Sequence, residues 1–116
     1  MHIGIMQGRL SNKKGKPLQS FPWDDWKKEF SRAHSIGFNQ IEWLVDDANN
    51  RNPISSVDGR EVISYLSNKY DVSIKSLCAH TLIDGKLLSN GKSQKKAIDK
   101  FSKILSWAFE AKIEYV

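Results

Sequence analysis

Cysteine is almost missing from the 116-residue sequence, whose single Cys78 allows no disulfide within the chain and no cysteine-based zinc site. Long apolar runs are missing too. No segment reaches the ~20 apolar residues of a membrane span, and the N-terminus lacks the pattern of a secretory signal. The segment GIMQG at residues 4–8 fits neither glycine pattern of nucleotide-binding loops. These absences argue against a disulfide-rich secreted protein and a membrane protein, and they predict a cytoplasmic one.

The net charge of +5 and the sequence pI near 9.4 come largely from lysines in two places. Lys13, Lys14 and Lys16 fall in a predicted loop, and the others lie along residues 92–112, most of which are predicted to be helical. Lysines on the polar face of an amphipathic helix are ordinarily its solvated side, and no cluster of arginine and aromatic residues accompanies them. The charge permits a phosphate-bearing partner, and nucleic acid is not expected.

Apolar segments that suit strands begin near Ile3, Gln40, Val72 and Ile113. Their separation of roughly 30 to 40 residues is typical of βα units. The segment GFNQIEWLVDD at residues 37–47 is apolar on both faces, which is typical of a strand in a parallel sheet covered by helices. The pattern predicts an α/β fold with a parallel sheet, which either closes into a (β/α)₈ barrel or stays an open doubly wound sheet.

Helix signals separate these strands. Pro22 suits the first position of one helix, and Gly37 suits its end. Asp58 and Glu61 have the spacing of a capping box at the start of a second helix. Residues 94–112 form the third and longest helical pattern. The apolar face predicted for the first helix consists of Trp23, Trp26, Phe30 and Ala33, and that of the second helix consists of Val62, Tyr65 and Leu66. The apolar face predicted for the third helix consists of Ala97, Ile98, Phe101, Ile104, Leu105, Ala108 and Phe109. Strands are predicted over residues 3–9, 72–79 and 113–116, and polar loops over residues 10–20, 46–57 and 81–93.

Four strands cannot close an eight-stranded barrel, whose usual length is ~250 residues. A sequence that stops inside an apolar strand also leaves an unpaired sheet edge. We therefore expect residues 1–116 to form a single partial domain, the N-terminal part of a larger protein. A stand-alone chain that pairs its edges as a homo-oligomer is the alternative.

Six motifs resemble the opening of sugar-phosphate isomerases and epimerases. They are GIMQGRLS at residues 4–11, QSFPW at 19–23, EF at 29–30, GFNQIEWLVD at 37–46, NP at 52–53 and SLCAH at 76–80. These enzymes belong to the xylose-isomerase-like TIM-barrel superfamily, which also includes apurinic-site endonucleases. The resemblance covers the whole chain in the same order. It implies the N-terminal half of a (β/α)₈ TIM barrel, with about three βα units and the start of strand four.

The resemblance also implies an activity in carbohydrate metabolism. Such enzymes move a proton at a carbon next to a sugar carbonyl with a divalent metal ion such as Mn, Mg, Co or Zn. Glu, Asp, His and Glu from later strands hold the metal, and two of those carboxylates act as acid and base. Catalytic and metal-binding residues are therefore expected beyond Val116, and this chain would supply one wall of the pocket for a sugar or sugar phosphate. Two alternatives are an endonuclease-like metal phosphodiesterase and a non-enzymatic α/β half-barrel module.

Residues at the carboxyl ends of barrel strands line the active site, and this rule selects Gln7, Arg9, Glu42 and His80 as substrate-binding residues. Amide, carboxylate and imidazole groups suit a ligand rich in hydroxyl groups. Arg9 could instead bind a phosphate, or could neutralise Glu42. His80 could be satisfied by backbone groups or could bind a metal. Trp43 is predicted to point into the helical layer. The loop lysines could reach a sugar phosphate or could be solvated.

Overall fold

A computed structural model describes residues 1–47 and 50–116. Its strands are β1 (Gly4–Met6), β2 (Gln40–Leu44) and β3 (Leu77–Cys78), which form a parallel sheet in the order β1-β2-β3. Its helices are α1 (Trp26–Ile36), α2 (Val57–Tyr70) and α3 (Gly91–Glu110), each of which follows the strand of the same number. Short 3₁₀ turns occur at Pro53–Ser55, His80–Leu82 and Lys86–Leu88. The predicted α/β class and the parallel sheet are confirmed.

Every strand outside β2 is shorter than predicted. The strand predicted over residues 3–9 ends at Met6, because Gly8 has a φ of 90° and turns the chain. The strand predicted over residues 72–79 is reduced to Leu77–Cys78, and before it Ser73 forms an isolated parallel bridge with Gln40. Over residues 113–116 there is one parallel bridge, from Tyr115 to Ser76, in place of a strand. The loop predicted over residues 46–57 includes residues 48 and 49, which lie outside the described part of the chain.

The two faces of β2 meet different surroundings. Ile41, Trp43 and Val45 are buried in the core that β2 shares with the helices, and Trp43 packs against Trp26 with ring centroids 5.7 Å apart. The predicted orientation of Trp43 toward the helical layer is thereby confirmed. Glu42 lies on the opposite face and is only half-buried. The sheet is therefore apolar on the side of the helices and mixed on the other side, where the buried Leu44 and the half-buried Met6 lie on the same face as Glu42.

Helix α1 begins later than predicted. Its first residue is Trp26 rather than Pro22, because the Pro22 carbonyl accepts the N–H groups of Asp25 and Trp26 in a turn before the helix. Gly37 ends the helix as predicted, with a φ of 99° and an N–H that donates to the carbonyls of Ala33 and His34. The buried face of α1 carries Trp26, Glu29, Phe30 and Ala33.

The predicted start and apolar face of α2 are partly wrong. Ser56 caps the helix by accepting the N–H of Gly59 at 3.0 Å, in place of the predicted Asp58–Glu61 capping box. The helix buries Leu66 and Ile63, whereas Tyr65 is 61% exposed. The apolar face is therefore rotated away from Tyr65.

The long helix α3 begins three residues before its predicted start and buries Ala97, Ile104, Trp107 and Ala108. Three residues assigned to its apolar face are instead exposed, Ile98 by 49%, Leu105 by 44% and Phe109 by 81%. Sequence periodicity missed Trp107, because the apolar pattern of α3 is wider than the arc that contacts the core. Within the described residues, none of the helices is both long enough and apolar enough to cross a membrane.

Candidate functional site

The carboxyl ends of the three strands meet at one edge of the sheet. The N–H of Gln7 donates to the carbonyl of Glu42 at 2.9 Å, which joins the end of β1 to β2. The N–H of Val45 donates to the carbonyl of Cys78 at 3.0 Å, and the N–H of Thr81 donates to the carbonyl of Val45 at 3.1 Å. Segments that follow all three strands therefore lie side by side, as the rule for parallel sheets requires.

Gln7 is buried at this edge and continues the sheet with its side chain. Its Oε1 accepts the N–H of Leu44 at 3.0 Å, where the next carbonyl of a longer β1 would otherwise accept it. Its Nε2 is buried and has no hydrogen-bond partner among the described residues. An unsatisfied buried donor typically lowers the stability of the folded state by about 1 to 3 kcal/mol. The Nε2 group of Gln7 is therefore a donor that could bind an additional acceptor.

Arg9 lies in the turn after β1, and its guanidinium donates hydrogen bonds to the loop that leads to α1. Its Nη1 donates to the carbonyl of Leu18 at 2.8 Å, and its Nη2 donates to Oε1 of Gln19 at 3.1 Å. The alternative in which Arg9 neutralises Glu42 is wrong, since Glu42 instead accepts the hydroxyl of Ser76 at 3.0 Å.

Glu42 lies on the open face of the sheet, opposite the helices. It lines an open cavity of about 300 Å³ together with Gly4, Met6, Gln40 and Ser76, among others. Burial raises the pKa of the Cys78 thiol, and the negative charge of Glu42 raises it further. The cavity offers carboxylate, amide and hydroxyl groups on one surface, which can donate and accept hydrogen bonds but present no cation.

His80 begins the 3₁₀ turn directly after β3 and is half-buried. No hydrogen bond joins its imidazole to another group within residues 1–47 and 50–116, so the alternative of a histidine satisfied by backbone is not observed. The lining of the cavity at Glu42 includes neither His80 nor Gln7 or Arg9. Of the four predicted site residues, the structure places one in this cavity and the other three around the edge of the sheet.

Sequence analysis assigned no role to Glu29, although it falls in one of the six motifs. Its carboxylate is 1% exposed and accepts the N–H of Gly8 at 2.9 and 3.0 Å, the N–H of Leu10 at 3.3 Å and the hydroxyl of Ser11 at 2.7 Å. A signal was present, because Glu29 follows Trp26 by three residues and therefore lies on the buried face of α1. A carboxyl group on such a face indicates a polar partner in the core.

Burial raises the pKa of Glu29 above its ordinary value of 4.5. Hydrogen bonds from Gly8, Ser11 and Leu10 act in the opposite direction, as does the charge of Lys13, but burial outweighs them. The proton on Glu29 is therefore released at a higher pH in the folded chain than in the unfolded chain.

This shift predicts a pH-dependent stability difference between the wild-type chain and Glu29→Gln. Because the folded-state pKa is raised, the contribution of Glu29 to the free energy of unfolding falls as pH rises from 4.5 through the raised pKa. We expect the wild-type minus variant difference, measured by urea titrations at a series of pH values, to decrease over this window and then level off. A difference that grows with pH would contradict the shift.

The loop lysines differ among themselves in their surroundings. Lys13 donates to the carbonyl of Ser20 at 3.3 Å, and its partial burial, together with the charge of Arg9, lowers the pKa of its amino group. Lys14 and Lys16 are exposed. All three lysines line a shallow cavity of about 40 Å³ beside Trp23, which is smaller than the cavity at Glu42.

The described residues do not form a metal-binding site. Within residues 1–47 and 50–116, no three His, Cys, Asp or Glu side chains are grouped closely enough to hold a metal ion. These side chains therefore do not fit a divalent metal on their own, and no catalytic step through such an ion is derived from them.

Comparisons of the chain with protein-family models, with curated proteins and with solved structures found no match. The resemblance to sugar isomerases therefore depends on the six sequence motifs, and the function inferred from it is a proposal.

Proposed function

We propose that this chain forms the N-terminal part of a (β/α)₈ barrel with sugar or sugar-phosphate isomerase or epimerase activity. In this proposal the chain supplies one wall of the substrate pocket, and Glu42 is its principal contact with sugar hydroxyl groups. The acid, the base and the ligands of the divalent metal lie in strands beyond Val116.

The observation that supports this proposal most directly is the difference between the two faces of the sheet. Parallel sheets in open α/β proteins are covered by helices on both faces and are apolar on both. Here one face packs against the helices, whereas Gln40, Glu42 and Ser76 line an open cavity on the other. In a barrel the helices cover only the outer face of the sheet, and side chains of the remaining strands would cover the inner face.

The chemistry of the open face suits a neutral, hydroxyl-rich ligand better than a strongly charged one. The Glu42 carboxylate and the side-chain oxygen of Gln40 accept hydrogen bonds, and the side-chain NH₂ group of Gln40 can donate them. The Ser76 hydroxyl donates its proton to Glu42, so toward a ligand it can only accept. The Ser76 hydroxyl already orients the Glu42 carboxylate at 3.0 Å. Glu42 is therefore held in place and can bind two neighbouring hydroxyl groups with its free lone pairs.

The proposal predicts that a sugar binds to the open face and that Glu42 contributes to its affinity. A panel of pentoses, hexoses and their monophosphates should be titrated into the ¹⁵N-labelled chain while amide chemical shifts are recorded. We expect at least one compound to shift the resonances of Gln40, Glu42 and Ser76. Glu42→Gln should raise the Kd of this compound about tenfold, because a hydrogen bond to a charged carboxylate is replaced by one to a neutral amide.

The control is Glu110→Gln, which makes the same chemical change at an exposed position of α3 and should leave the Kd unchanged. The proposal is wrong if no compound of the panel shifts these resonances. It is also wrong if Glu42→Gln and Glu110→Gln bind the sugar as well as the wild-type chain does.

A further inference from the structure

The carboxyl group of Glu29 is the most deeply buried acidic group that the proposed function leaves without a role. Charged side chains are seldom fully buried unless they are paired, yet Glu29 is 1% exposed and its direct partners are two backbone N–H groups and one hydroxyl. Its pKa is raised by burial, so the four hydrogen bonds do not recover the full cost of removing the group from water. A costly group of this kind needs an explanation beyond packing.

The partners of Glu29 lie on both sides of Arg9 in the chain. Gly8 precedes Arg9, and Leu10 and Ser11 follow it, so one carboxyl group holds the backbone before and after this residue. The turn is tight. Gly8 has a φ of 90°, and an added Cβ would lie 2.6 Å from Nζ of Lys13 and 3.1 Å from the carbonyl oxygen of Ser20.

A second side chain of α1 holds the same turn. Nη1 of Arg32 donates to the carbonyl of Leu10 at 2.7 Å and to Oδ2 of Asp25 at 3.2 Å. Glu29 and Arg32 are three residues apart on one helix and therefore lie on neighbouring positions of one face. The turn after β1 is thus fixed to a helix rather than left as an independent loop.

The guanidinium group of Arg9 is also fixed by hydrogen bonds. The guanidinium makes three hydrogen bonds, to the carbonyl of Leu18, to Gln19 and a long one of 3.6 Å to Sδ of Met6. A guanidinium has five N–H donors, so two remain for another acceptor. With both its backbone and its head group fixed, Arg9 has lost most of the freedom that an exposed arginine would lose on binding a ligand.

We propose that Glu29 is a positioning residue, which fixes the turn after β1 and so sets where Arg9 presents its remaining donors at the carboxyl edge of the sheet. Any role of Arg9 toward a sugar or its phosphate rests on the proposed function. The placement of Arg9 by Glu29 does not, because it is a property of the chain without a ligand.

The test compares Glu29→Gln with Glu61→Gln, the same change at an exposed position of α2. Amide hydrogen exchange of Gly8 and Leu10 should accelerate about tenfold or more in Glu29→Gln, because an amide cannot accept from all these donors at once. Reaction of Arg9 with phenylglyoxal, followed by mass spectrometry, should accelerate severalfold. Arg60, which donates to the carbonyl of Ile54 at 2.9 Å, should react at its wild-type rate in the same samples.

Milder variants at Ser11 separate local positioning from global stability. Ser11→Ala removes one of the hydrogen bonds to Glu29 and should give a smaller acceleration at Gly8 and Leu10. Ser11→Thr keeps the hydroxyl group and should restore the wild-type exchange rates. If Glu29→Gln does not fold, the exchange rates of Ser11→Ala and Ser11→Thr alone decide whether Glu29 fixes the turn after β1.

The proposal is overturned if exchange and Arg9 labelling are unchanged in Glu29→Gln and in Ser11→Ala. It is equally overturned if exchange accelerates uniformly over the chain, since Glu29 would then serve stability only. Where the sugar panel yields a ligand, Glu29→Gln should raise its Kd in the wild-type background but not in an Arg9→Gln background. A panel without any ligand would refute the proposed function, while the exchange and labelling results would still decide the role of Glu29.

Discussion

Replacement of Trp43 by alanine is expected to lower the free energy of unfolding by about 3 to 5 kcal/mol, the usual range for a large aromatic residue in a core. Trp43 is fully buried on the helix-facing side of β2, and its ring lies 5.6 Å from that of Phe21 and 5.7 Å from that of Trp26. Alanine would leave a cavity between β2 and α1. It would also leave Oδ1 of Asn52 without the indole N–H that donates to it at 2.9 Å.

Urea unfolding followed by circular dichroism measures this loss. The matched control is Phe109→Ala, which removes an aromatic ring that is 81% exposed on α3 and should cost about 0.5 kcal/mol or less. Trp43→Phe keeps an aromatic ring but loses the N–H group, so an intermediate value is expected. Equal losses for Trp43→Ala and Phe109→Ala would show that β2 does not pack in the way described.

Asn52→Ala is expected to lower the free energy of unfolding by about 3 kcal/mol, which is large for a polar residue in a loop. Asn52 is buried and makes three hydrogen bonds. It accepts the indole N–H of Trp43 at 2.9 Å and the N–H of Ile54 at 3.2 Å, and its Nδ2 donates to the carbonyl of Leu44 at 3.1 Å. Alanine would leave all three groups buried without a partner.

The same urea assay measures this effect, with Asn68→Ala on the exposed side of α2 as the control. Asn52→Asp is a sharper probe. It preserves the shape and the two accepted bonds but turns a carboxylate oxygen toward the carbonyl of Leu44, so it should also destabilise the chain. A tolerated Asn52→Asp together with a tolerated Asn52→Ala would contradict the hydrogen-bond network around the end of β2.

The parallel order of the strands could be predicted from sequence because it depends on local patterns. Apolar segments alternate with amphipathic helices at βα spacing, and residues 37–47 are apolar on both faces. The orientation of Trp43 followed from its alternation with Glu42. The end of β1 could not be predicted, because the turn at Gly8 depends on contacts with Glu29, which is 21 residues away along the chain.

The face of α3 shows a different limit of sequence reasoning. Its apolar residues are more numerous than the core can cover, so periodicity alone could not decide whether Trp107 or Phe109 is buried in the core. The four site residues were chosen by a rule about strand ends, and Gln7, Arg9 and His80 do follow strand ends, whereas Glu42 lies in the middle of β2 and lines the cavity on the face of the sheet. It could not be foreseen that Arg9 would turn to Leu18 and Gln19 and that Glu42 would pair with Ser76.

The brevity of the strands has a consequence for how this chain can change through mutation. β1 is only three residues long and β3 only two. At the ends of these strands, the side chains of Gln7, Glu29 and Asn52 form hydrogen bonds with backbone groups that a longer strand would pair with backbone. Apolar core positions generally accept another apolar residue of similar volume. A side chain that replaces a carbonyl or bridges three donors has almost no chemical equivalent. A few polar positions near the strand ends should therefore tolerate even conservative substitutions poorly, whereas core positions should tolerate apolar residues of similar volume.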